Sequence, residues 1–100
     1  MSSIEFKIER KENLTVLEFE LSSGVITPEE LKTINFDPVK EGITGSLVVI
    51  SGRGPIWLYT TLSHILHPCK GVAIFDPRIG GGIVTQSHSP EFTVGDIIPL

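Results

Sequence analysis

The chain has 100 residues, 40% of them hydrophobic, with a formal net charge of −4 and one cysteine. That length supports a single domain, residues 1–100, with a real but small core, so an extended site would be completed by a second subunit. The acidic balance argues against a protein that coats long nucleic acid, and no apolar run approaches the roughly 20 residues of a spanning helix. The lone Cys69 rules out an internal disulfide, and the polar first 12 residues do not read as a secretory signal, so the expected compartment is the cytoplasm.

Ile4 to Arg10 alternates apolar and charged residues, as a strand with one wet face does. After a polar turn at Lys11-Glu12-Asn13, Leu14 to Leu21 resumes the same period, which predicts a hairpin over residues 4–21. Thr27-Pro28-Glu29-Glu30 opens a short helix with Thr27 as N-cap and Glu30 closing a capping box; it ends before Asp37-Pro38. A β-branched run over 46–51 predicts a buried strand. A glycine loop then leads into a helix from Pro55, at its first position, to Leu66. Leu58, Leu62, Ile65 and Leu66 share one face of that helix.

Residues 70–75 form another buried strand, followed by a turn with three glycines at 80–82. Ile83-Val84-Thr85 and Ile97-Ile98 supply further strand material around a loop carrying His88. The order ββαβαββ predicts an α/β domain, a mixed sheet with two helices packed on it. The acids concentrate before residue 42. Beyond it Asp76, Glu91 and Asp96 face Arg53, Lys70 and Arg78, so the second half can hold a small anion.

Ser51-Gly52-Arg53-Gly54-Pro55 joins a strand to a helix, where backbone N–H groups and the helix dipole favour a phosphate-sized anion. It is neither a Walker A loop nor a dinucleotide fingerprint, since Trp57 stands where a third glycine belongs. A tight turn with a solvated arginine fits the spacing equally well. His64 and His67 lie about 60° apart around the helix, outside its apolar stripe. His67 suits acid–base or metal chemistry, or simply a cation in the last turn.

Asp76-Pro77-Arg78 ends a strand, and if that strand runs parallel to the one before Ser51, both loops share the carboxyl rim where ligands collect. The expectation is then one rim holding a carboxylate, two arginines, a glycine loop and a histidine. The competing reading of Asp76 is a turn aspartate capping N–H groups. His88 would complete a metal site with His67 and Asp76, or stand as a solvent-exposed loop histidine. Trp57 and Tyr59 offer a nucleobase stack or packing against sheet or partner.

Ser51-Gly52-Arg53-Gly54-Pro55-Ile56-Trp57-Leu58-Tyr59, His67-Pro68, Phe75-Asp76-Pro77-Arg78, Ser87-His88-Ser89-Pro90 and Gly95-Asp96, in this order, resemble the small stand-alone ring nucleases of type III CRISPR systems, the third Csx family. The resemblance spans residues 46 to 98, the hairpin agreeing in layout only. It implies a compact dimeric fold, ferredoxin-like and distantly like the nucleotide-sensing CARF domains. It also implies binding and linearising cleavage of cyclic tetra-adenylate, enclosed between two dimers that supply different parts of the site. By motif, His67 and Asp76 match the catalytic pair. Ser51, Gly52, Arg53, Gly54 and Arg78 match phosphate and ribose contacts. The family has also been described as manganese-dependent deadenylating RNA exonucleases, which leaves Mn²⁺ bound through His67, Asp76 or His88 as an implied cofactor. A non-catalytic cyclic oligoadenylate sensor is the further alternative.

Overall fold

In the computed structural model, which describes residues 3–100, the alternating N-terminal segment forms strands β1 (Ile4–Arg10) and β2 (Leu14–Leu21). They pair antiparallel, from Ile4 opposite Leu21 to Arg10 opposite Thr15. Period-two patterning dictates what is buried: Leu17, Phe19 and Leu21 enter the core while Glu18 and Glu20 stay in water. Helix α1 (Pro28–Leu31) starts as expected, with the Glu30 carboxylate accepting the Thr27 N–H and hydroxyl, each at 2.9 Å. It lasts one turn. The Thr33 hydroxyl donates to the Glu30 carbonyl at 2.7 Å, so the side chain competes for the backbone where a second turn would begin.

Strand β3 (Leu47–Ser51), helix α2 (Ile56–Ile65), and strands β4 (Gly71–Asp76), β5 (Gly81–Ser87) and β6 (Ile97–Pro99) follow. The six strands lie in the sheet in chain order. β2–β3 and β3–β4 are parallel; the other pairs are antiparallel. The two parallel crossovers step the same way across the sheet, so a common right hand puts α1 and α2 on one face. Leu58, Leu62 and Leu66 of the α2 region pack there on Leu17, Phe19, Val48, Ile50 and Val72. The opposite face carries a smaller cluster, Leu14, Leu47, Val49, Ala73 and Val84, with Phe92 from the loop before β6. Central β3 is therefore buried on both faces, which is why it reads as an unbroken apolar run.

Two expectations shift. Pro55 is the N-cap of α2 rather than its first helical residue, with ψ of 158° still extended. Of the three glycines only Gly80 lies in the turn. Gly81 and Gly82 open β5 opposite Asp76 and Phe75, and Gly82 admits Val49 and Ala73 where a side chain would crowd them. Among the described residues no helix is long and apolar enough to cross a membrane.

Candidate functional site

Parallel pairing of β2, β3 and β4 brings the Leu21, Ser51 and Asp76 ends to one rim. The expected convergence of the two loops holds. At the β3–α2 junction, Phe19 explains the glycines: a Cβ on Gly52 would sit 2.6 Å from its carbonyl oxygen, and one on Gly54 2.9 Å from its ring. Gly52 has φ of +151°, backbone that only glycine adopts readily. Tyr59 stacks edge-on against Phe19, centroids 5.3 Å apart, and its hydroxyl donates to the Gly52 carbonyl. Tyr59 is therefore the anchor of the loop, and packing wins over an open stacking platform.

This anchoring leaves the donors of the junction free. Among the described residues the N–H groups of Arg53, Gly54, Ile56 and Trp57 have no partner, nor has the exposed Arg53 guanidinium. Arg53 borders a cleft of about 460 Å³ between Glu18–Leu21 and Ser51–Arg53, and Arg53, Gly54 and Trp57 border another of about 420 Å³ together with Val25. Beside them, Asp76 Oδ1 accepts the Arg78 N–H at 2.9 Å and lies 3.6 Å from the Arg78 Nε. The Arg78 backbone N–H first, and then its guanidinium, hold the Asp76 carboxyl below the usual carboxylate range. Asp76 is an anion at neutral pH and fulfils its turn role; Arg78, with 91% of its side chain exposed, remains open to a ligand.

His67 is elsewhere. Helix α2 carries the chain back from the carboxyl end of β3 to the amino end of β4, so His67 emerges beside Gly71 and Ser87. There its Nδ1 lies 3.1 Å from Gln86 Oε1, the Gln86 Nε2 donates to the His67 carbonyl at 3.1 Å, and the His88 Nε2 lies 3.2 Å from that carbonyl. The two imidazoles meet edge to face, centroids 5.1 Å apart. His64 is exposed and outside this group.

One rim thus does not hold all the expected residues within a chain. β4 separates His67 and His88 from Asp76 by on the order of 15–20 Å, because a strand advances about 3.3 Å per residue. For the same reason one chain does not bring the expected metal set of His67, Asp76 and His88 together. Among the described residues no group of three or more His, Cys, Asp and Glu comes together. An ion held by all three would have to draw them from more than one copy of the chain. Gln86 went unnoticed in the sequence because nothing in a separation of 19 residues announces its contact with His67.

The fold and its ends define a small α/β domain with unpartnered backbone N–H groups and two exposed arginines at one end and an imidazole pair at the other. The sequence model of the family described as CRISPR-associated protein (Cas_csx3) matches residues 19–99, and the chain belongs to this family. An uncharacterized protein of Aquifex aeolicus (strain VF5) is 51% identical over 88 residues, covering 87% of this chain and 78% of that protein.

Proposed function

We propose that the protein binds and linearises cyclic tetra-adenylate as a ring nuclease, with the ligand enclosed between subunits. One observation carries this reading: the anion-binding groups and the imidazoles stand at opposite ends of β4. A ligand touched by both must bridge copies, and a symmetric ring of phosphates suits repeated copies of one loop. Family membership and the order of the motifs support the choice of ligand.

The chemistry follows from the groups. A ring has no ends, so cutting it means aligning a ribose 2′-hydroxyl or a water in line with one phosphodiester. The free N–H groups of Arg53 and Gly54, the Arg53 guanidinium and Arg78 of one copy stabilise charge growing on the phosphoryl oxygens. His67 of another copy takes the proton of the attacking hydroxyl as its oxygen bonds to phosphorus. The P–O5′ bond breaks, and the departing 5′-oxygen takes a proton from the imidazolium so formed or from water. Asp76, ionised, holds Arg78 towards the phosphate and offers a second proton acceptor.

The test is to incubate the protein with cyclic tetra-adenylate, with and without Mn²⁺, and resolve products by chromatography. Ring opening is expected. His67→Ala and Asp76→Ala should each slow it about 10²-fold or more while binding persists, as for lost acid–base groups. An intact ring under all conditions refutes the reading. Tight binding without product makes the protein a sensor, and faster shortening of a 3′-adenylated linear RNA makes it a deadenylating exonuclease.

A further inference from the structure

A backbone carbonyl can only accept hydrogen bonds, and it has two lone pairs. The His67 carbonyl takes one bond from the side-chain amide of Gln86 at 3.1 Å and one from His88 Nε2 at 3.2 Å. Both facing atoms must therefore carry hydrogen. This fixes which way the Gln86 amide is turned: its Nε2 faces the carbonyl, and its Oε1 faces the His67 ring. An amide oxygen also only accepts, so the ring nitrogen 3.1 Å away, Nδ1, must be the donor. His67 Nε2 is left with its lone pair, and no partner occupies it among the described residues. Gln86 is half-buried on β5 and gripped at both ends of its amide by one residue, so the orientation is built into the fold.

We propose that Gln86 is a positioning residue that holds neutral His67 in the tautomer protonated at Nδ1, presenting Nε2 as the proton acceptor. The link to rate rests on the role proposed above for His67; the tautomer does not. The general cost of losing such an orienting partner is about 10- to 100-fold, and more where the wrong tautomer results.

The experiment uses full-length protein with ¹⁵N-labelled histidine at about pH 8, where ordinary imidazoles are neutral. Long-range proton–nitrogen correlations then tell a protonated ring nitrogen from one with a lone pair. His67 is expected to be protonated at Nδ1 in the native protein and in Gln86→Glu, whose carboxylate still accepts that proton. In Gln86→Leu the population moves to Nε2, and ring opening falls about 10- to 100-fold in kcat with KM little changed. Gln86→Glu, whose carboxylate accepts the Nδ1 proton but offers the His67 carbonyl no N–H, should recover part of that loss. If the leucine variant does not fold, the native tautomer by itself tests the assignment. An Nε2-protonated His67 in the native protein, an unchanged tautomer in Gln86→Leu, or a shifted tautomer with an unchanged rate overturns the proposal. If the tautomer shifts as expected but no variant, nor the native protein, opens the ring, the assignment of Gln86 to the tautomer stands and the messenger-cleaving reading falls.

Discussion

Gly52 and Cys69 illustrate how packing constrains single residues here. A methyl group on Gly52 meets the Phe19 carbonyl at 2.6 Å and its ring at 2.8 Å, at a φ of +151°. Backbone strain and overpacking together should cost Gly52→Ala about 2–4 kcal/mol. Urea unfolding measures this, and anion binding at the loop should weaken in parallel. Cys69 is fully buried, and burial pushes its thiol up to about 11. At pH 8 roughly one molecule in a thousand carries the thiolate. Reaction with a disulfide reagent should be slow in the folded protein and fast in denaturant; rapid labelling without denaturant would contradict a closed core. Gly52 could be singled out from sequence because strand, glycine and helix signals are local. The Phe19 ring behind it could not, since it arrives from another strand.

Elements were legible wherever one local rule decided them. The hairpin, the capping box at Thr27 and Glu30, and the four apolar strands each follow from period or capping chemistry. The position of His67 needed a further step. A crossover helix between parallel strands ends at the amino end of the next strand, so His67 and Asp76 were bound to part. Asp76 at the end of β4 and Glu91 in the loop before β6 also shape the pH response. Asp76 is held low by the Arg78 N–H, and Glu91 by its hydrogen bond and ion pair with Lys70. Both carboxyls bind protons more weakly folded than unfolded, so their contribution is complete above the ordinary carboxylate range of about 4 and is lost as pH falls through the lowered values. Melting temperature should therefore decline below about pH 4, and Glu91→Gln should flatten that decline slightly, since both partners face solvent.

At the scale of the whole molecule, the two ends of β4 make the chain two-headed: each copy carries exposed arginines at one end and the His67 and His88 imidazoles at the other. Mixing inactive His67→Ala with inactive Asp76→Ala should restore ring opening, because a junction that takes its imidazole from the second variant and its aspartate from the first is intact. With random assortment about a quarter of junctions qualify. No recovery on mixing would require both groups to act from one copy.

The same two-headedness has a consequence for how fast a signal is cleared. On the proposed reading a junction forms only when two particles meet around one ligand, so in the dilute regime throughput would grow with the square of protein concentration rather than in proportion to it. Doubling the amount of protein would quadruple clearance, while halving it would let the same signal persist about four times longer. Abundance would then act as a threshold: if the proposed activity holds, sparse protein would let the signal persist and plentiful protein would clear it.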